Sequence, residues 1–351
     1  MLAAPRISVV IPSYNHERFI GEALTSVQTQ SFQDFEVLVI DDGSSDASAQ
    51  IAEAVAATDS RIRVIRQRNA GSHGAINKGL SLARGEWIAI LNSDDRFAPD
   101  RLARMLAAGD EGAWFITGEA RLIDNEGAEI TDPSHWWHRT VADFLAKVDQ
   151  YGPIQGLMYG NYTISTSNFF FRRALVDEIG TFAPLRRVID WEWALRAALK
   201  RPHEFRLLRE KLLDYRLHGA NAILGDPMRG TLEIARVHRR VLRALGVPDP
   251  LQASLVRNRR ELRRAWRDRA VARIEHFVRE READVRAVAL ERDRIEQHAA
   301  DIETRTTEAL GRIRALEADK QELVARLTRI ERSLPYRLYR LARRLAGGAD
   351  R

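Results

Sequence analysis

The sequence predicts an α/β domain with a mainly parallel sheet flanked by helices, followed by a long α-helical, coiled-coil C-terminal region. Three observations carry this. Short apolar runs alternate with segments of helical period through the first 120 residues or so. Two of those runs end in acidic turns, Asp41-Asp42-Gly43-Ser44 and Asn92-Ser93-Asp94-Asp95. Beyond Pro250, glycine and proline vanish up to Pro335, with Gly311 the lone exception.

The first run, residues 7–11, reads as a buried strand closed by Pro12. Phe19, Ile20, Ala23, Leu24 and Val27 then share one helical face. Phe35 to Ile40 is a second strand. Ala47 to Ala57 reads as a helix, with Asp46 placed to cap it. Arg63–Arg66 and Trp87–Leu91 read as a third and fourth strand on either side of a helix from Gly71 to Ala83, and Ala113–Thr117 as a fifth. Strands alternating with helices imply right-handed crossovers and parallel pairing. Ligands of such sheets sit beyond the carboxyl ends of the strands, where both acidic turns fall. From 118 to 250 the pattern is mixed, rich in aromatics, and contains an acidic helix start at Asp190-Trp191-Glu192-Trp193.

In the C-terminal hundred residues Val288, Ile295, Ile302, Ala309, Leu316, Leu323 and Ile330 recur every seventh position. The partner seam is poorer, with Arg292 and Lys320 in it. The pattern predicts a homo-oligomeric coiled coil over 251–334. Pro335 stops the helix, and a tail follows in which Leu338, Leu341 and Leu345 lie opposite Arg340 and Arg344. That segregation suits peripheral contact with an anionic membrane surface.

Charge and composition narrow the function. The chain has 351 residues, a net charge of +6 and no cysteine. The absence of cysteine excludes disulfides, a thiol nucleophile and thiolate metal sites, and fits a reducing, cytoplasmic setting; with the basic tail, the expected place is peripheral on the inner face of the cell membrane. Residues 251–351 hold 25 basic and 17 acidic side chains, net +8, which leaves the first 250 at −2. No apolar stretch approaches the ~18 residues of a membrane span, and the N-terminus reads as a strand entry, not a signal peptide. The basic helix is interrupted by Glu261, Asp268 and Glu275 and lacks interleaved aromatics, so nucleic acid is not an expected partner. A Rossmann dehydrogenase is excluded because Pro12-Ser13-Tyr14-Asn15 stands where the glycine fingerprint belongs.

Two acidic turns at the mouths of neighbouring strands call for a divalent cation and a phosphate ligand, since hard oxygen donors suit Mg2+ or Mn2+. Val9-Val10-Ile11-Pro12-Ser13-Tyr14-Asn15, Val39-Ile40-Asp41-Asp42-Gly43-Ser44-Ser45-Asp46, Asn69-Ala70-Gly71 with Ala75 and Asn77, and Leu91-Asn92-Ser93-Asp94-Asp95 together resemble family 2 glycosyltransferases. The resemblance covers about residues 5–220. It implies the GT-A fold, a nucleotide-binding half over about 5–117 and an acceptor half over about 118–225.

The resemblance also implies roles. Pro12, Tyr14, Asn15 and Glu17 belong to the nucleotide-sugar pocket, with Tyr14 beside the base. Asp42 accepts from a uracil-type imide. Asn69 and Gly71 lie along the ribose-diphosphate, and Asn77 belongs to the nucleotide-sugar site. Asp94 contacts the donor and, with Asp95 and His218, the metal. Arg216 of Tyr215-Arg216-Leu217-His218 holds phosphate. Asp190 is the general base of an inverting transfer, and Glu192 is the fallback. Two departures stand out: Asn92, where many relatives carry Asp, and Ile76, where an arginine is frequent. The implied activity is an inverting, metal-dependent (Mn2+ or Mg2+) hexosyl transfer from a UDP- or dTDP-type donor to a glycan or lipid-linked acceptor in cell-surface polysaccharide assembly. The alternative is an inactive GT-A domain serving as a coiled-coil scaffold or basic binding module.

Overall fold

The computed structural model describes residues 4–218 and, beyond them, 233–234, 237, 240–241, 294, 297, 304–305, 307–308, 310–312, 314–329 and 338. The chain divides into two compact units, 1–257 and 258–351. In the second, residues 314–329 are helical, with Leu316, Leu323 and Leu327 more than half exposed. The rest of the expected coiled-coil seam, and the tail beyond Pro335 except Leu338, lie outside the described residues. Among the described residues no helix is long and apolar enough to cross a membrane.

In the first unit the apolar runs become strands β1 (Ile7–Ser13), β2 (Phe35–Asp41), β3 (Ile62–Arg66) and β4 (Trp87–Ile90). Helices α1 (Ile20–Gln28), α2 (Ser48–Ala56) and α3 (Gly71–Leu82) connect them. These four strands pair in parallel in the order β3-β2-β1-β4. Every residue of β1 and β2 is buried, which is why they are mostly apolar with no alternation; the buried Ser8 and Glu36 hydrogen-bond to each other. Val9, Ile11, Val37 and Val39 pack on one face with Ile20, Leu24 and Val27 of α1. Val10, Ile88 and Ile90 pack on the other with Ile76 and Leu80 of α3.

The remaining half of the sheet departs from the expected mainly parallel arrangement. Its strands are β5 (Arg96–Phe97), β6 (Phe115–Ile123), β7 (Phe170–Arg172) and β8 (Phe205–Arg216). The sheet has eight strands in the order β3-β2-β1-β4-β7-β6-β8-β5. β7 runs antiparallel to both β4 and β6, and β5 antiparallel to β8, so the sheet is mixed. Helices α4 (Arg101–Asp110), α5 (Trp136–Tyr151), α6 (Pro153–Tyr159), α7 (Ala174–Ile179) and α8 (Ile189–Lys200) complete the unit.

Much of the aromatic stretch is core. Phe169, Phe170 and Phe171 are fully buried, and Trp137 and Tyr162 nearly so. Phe170 stacks on Trp87 at 5.0 Å, while Phe171 and Phe182 flank Trp193 of α8 at 4.5 and 5.0 Å. This packing seats α8 against the sheet. Strand order reverses between β1 and β4, and both strands point their carboxyl ends at the same side. That is where an open α/β sheet forms a crevice.

Candidate active site

The loop after β1 is tied to the loop after β2 by side chains expected to meet a nucleotide. Asn15 has φ 53°, and its Oδ1 accepts from Ser45 N at 2.8 Å. Glu17 Oε2 accepts from Ala47 N at 2.9 Å, and Glu17 N donates to Asp46 Oδ2 at 3.0 Å. Asn15 and Glu17 thus clamp two loops together. Pro12 is buried in β1, whereas Tyr14 is 47% exposed beside the clamp.

Asp42 Oδ1 accepts from Gln67 Nε2 at 2.7 Å and Ala70 N at 2.8 Å, holding the segment that leads into α3. Its neighbour Asp41, the last residue of β2, has a buried Oδ1 with no hydrogen-bond partner. Asn69 is exposed, and its backbone N lies 3.2 Å from where a Cβ on Gly43 (φ +77°) would stand, so that turn needs glycine. Gly71 starts α3 at φ +78°. Asn77 faces elsewhere: Nδ2 donates to Phe182 O and Oδ1 accepts from Phe182 N, each at 2.9 Å. Its amide is a strap on the backbone before α8.

The turn after β4 is held by residues 161–168, far along the chain. Asn92 Nδ2 donates to Ser165 Oγ at 3.0 Å, and its Oδ1 accepts from Thr166 Oγ1 at 2.9 Å. Both ends of the amide are used, so asparagine is placed for structure here. Asp95 is 1% exposed; Oδ2 accepts from Ser167 Oγ at 2.5 Å and Oδ1 from Arg216 N at 2.9 Å. Burial, together with the adjacent Asp94 charge, pushes the Asp95 carboxyl well up despite those donors. Both Asp95 oxygens thus meet protein donors.

Arg216, expected on phosphate, is fully buried. Nε donates to Asp94 O, Nη1 to Asp124 O and Asn125 O, and Nη2 to Glu22 Oε2 at 2.7 Å. A guanidinium whose donors meet three backbone carbonyls and Glu22 is a strut for the acidic turn.

Asp94 has a different environment. His218 Nε2 lies 2.9 Å from Asp94 Oδ2, and His16 Nε2 lies 4.0 Å from the same oxygen. One donor atom from each of the three residues falls within 4.8 Å of the others. The two rings are perpendicular with centroids 5.7 Å apart, and Phe19 backs both. Asp94 Oδ1 is buried without a hydrogen-bond partner. Burial raises the Asp94 carboxyl, but the His218 hydrogen bond and the two imidazoles outweigh it, so the group lies below the usual carboxylate value. A carboxylate kept ionised between imidazoles, with an oxygen lacking a donor, fits a divalent cation. His16 carried no expected role: one histidine after a Tyr-Asn pair has no local signature.

Asp190 and Glu192, both in the first turn of α8, separate clearly. Glu192 is buried; Oε2 accepts from Arg196 at 2.8 Å and Oε1 from Arg240 at 3.1 Å. Asp190 keeps a partial opening to solvent and has no cationic partner among the described residues. The packing around it pushes its carboxyl up to about 6, against hydrogen bonds from Trp191 N and Asn161 Nδ2. Asn161 begins the same eight residues that grip Asn92 and Asp95. Four residues span roughly 14 Å at most, so Asn161 and Ser165 link Asp190 to the acidic turn through one short segment.

The Glycosyl transferase family 2 model matches residues 8–180. EpsH of Bacillus subtilis is 33% identical over 190 residues, 54% of this chain and 53% of that protein. The chain thus spans about half the length of that relative. Glycosyltransferase GlyG of Streptococcus pneumoniae is 42% identical over 215 residues, 59% of this chain and 67% of that protein. Among solved structures, S. aureus TarS 1–349 in complex with UDP superposes with a TM-score of 0.51 at 21% identity, covering 68% of this chain and 65% of that one. That likeness supports the GT-A-like fold. With its match to the family model and its identity to GlyG over two thirds of that protein, the chain belongs to glycosyltransferase family 2.

Proposed function

We propose that the chain is an inverting, metal-dependent glycosyltransferase that uses a UDP- or dTDP-type sugar donor and a glycan or lipid-linked acceptor of cell-surface polysaccharide assembly. The single observation that carries this reading is the placement of Asp190. Its carboxyl, raised to about 6, is joined through Asn161 to the segment that holds Asn92 and Asp95 beside Asp94.

The chemistry follows from that placement. The acceptor hydroxyl oxygen forms a bond to the anomeric carbon from the face opposite the diphosphate. The carbon–oxygen bond to the diphosphate breaks with its electron pair going to the leaving group. The hydroxyl proton passes to the Asp190 carboxylate. A pKa near 6 keeps that base mostly ionised at neutral pH and still a competent proton acceptor. Asp94 and His218 would hold a divalent cation, whose positive charge would stabilise the leaving diphosphate. Tyr14, exposed at the mouth of β1, offers a face to the base, and the unpartnered Asp41 oxygen at the end of β2 joins Asp42 as a candidate acceptor for the imide N–H. Glu192, held by two arginines, supports α8 and leaves the proton transfer to Asp190.

The test is turnover of a panel of nucleotide sugars by purified protein with and without Mn2+ or Mg2+. Transfer or donor hydrolysis is expected with a uracil or thymine donor, and is lost in Asp94→Ala and Asp190→Ala. Full activity in both variants sinks the site assignment. The exposed Leu316, Leu323 and Leu327 support a homo-oligomer through the C-terminal helix. Light scattering should then give a lower particle mass for a chain truncated before Val285, and truncation after Ser333 should weaken sedimentation with anionic liposomes.

A further inference from the structure

His16 is fixed more firmly than its position in a loop requires. Its backbone N donates to Ser48 Oγ at 2.8 Å, and its carbonyl accepts from Phe19 N and Ile20 N, each at 2.9 Å. Its ring Nδ1 lies 2.8 Å from Ser93 Oγ, and Ser93 is fully buried. With Nδ1 engaged there, Nε2 is the remaining ring nitrogen, and it faces Asp94 Oδ2 across 4.0 Å. That gap is too long for a hydrogen bond. It matches the separation of two ligands of one cation, which at metal–ligand distances of about 2.0–2.2 Å runs from about 3 to 4.4 Å. Such anchoring of the second nitrogen by a buried oxygen is the usual way a ligating imidazole is oriented.

We infer that His16 is a metal ligand, completing with Asp94 and His218 a site of two imidazole nitrogens and one carboxylate oxygen that favours transition-metal cations over Mg2+. This rests on the reading above that a cation binds at Asp94, and extends it to the choice of cation. Mg2+ takes oxygen donors and water, and gains little from imidazole. Along the first transition row, the affinity of a nitrogen-containing site rises from Mn2+ to Cu2+, and imidazole suits these cations. A site built on Asp94 and Asp95 would be all oxygen and friendly to Mg2+. Here Asp95 meets Ser167 and Arg216, and two imidazole nitrogens face Asp94 Oδ2.

The test uses the full chain, stripped of metal and titrated with Mn2+ in the presence of UDP. Electron paramagnetic resonance follows free Mn2+, and pulsed measurements count the nitrogens on bound Mn2+. Two nitrogens are expected in the unmodified protein and one in His16→Gln, with Mn2+ affinity about tenfold weaker and easier displacement by Mg2+. One nitrogen or none on Mn2+ bound to the unmodified protein overturns the role of His16, while the cation at Asp94 stands if Asp94→Asn abolishes binding. No Mn2+ retained by the unmodified protein removes the metal-dependent reading itself. The nitrogen count in the unmodified protein needs no variant to fold.

Discussion

Asn161 Nδ2 donates a 2.8 Å hydrogen bond to Asp190 Oδ2, and it is the side-chain donor that opposes the rise of that carboxyl. The pH dependence follows. The base acts ionised, so activity should be present above about pH 6 and fall as pH drops through it. Asp190→Asn should lower kcat by about 10²–10⁴-fold. Asn161→Ala removes a donor to the ionised form, so the acidic limb of the kcat profile should move to higher pH. A limb that stays in place after Asn161→Ala would show that some other group sets it.

Glu192 should behave differently although it lies two residues away. Its two arginine partners make it a support for α8. Glu192→Gln should cost about 1–3 kcal/mol, a Tm drop of several degrees in a unit of this size, because charge-assisted bonds are lost in a buried setting. The pH limb should not move. A shifted limb with unchanged Tm would return Glu192 to the list of proton acceptors.

Asn77→Ala should remove both hydrogen bonds to the Phe182 backbone. A stability loss of about 1–3 kcal/mol is expected from the freed amide and carbonyl. Calorimetric affinity for UDP should change little. A large loss of UDP affinity with normal Tm would place Asn77 against the ligand after all.

Gly79 in α3 lies against β1, where an added Cβ would stand 2.2 Å from Val10 Cγ1. Gly79→Ala is favourable for an isolated helix but should destabilise this protein by about 1–3 kcal/mol, since the strand behind Val10 is packed on both faces. Chemical denaturation with an unchanged slope checks it; a stabilised variant would mean that α3 slides freely.

The parallel half of the sheet was legible because its signals are local. Unbroken apolar runs, helical period and acidic turns at strand ends are written within a few residues of one another. β5, β7 and β8 were not, because short or irregular strands such as Phe170–Arg172 look like any aromatic stretch until β4 and β6 close around them.

The sequence by itself determined the fold family and the order of the βα units in the parallel half of the sheet. Only the tertiary structure decided what each polar atom there faces. Arg216 is a strut because carbonyls about 90 residues away in sequence take its guanidinium, and Asn77 is a strap because Phe182 comes to it. His16 stands beside Asp94 because Ser93, 77 residues along, holds its ring. A buried polar group must find its partner wherever the fold delivers one, and that delivery has no period along the chain.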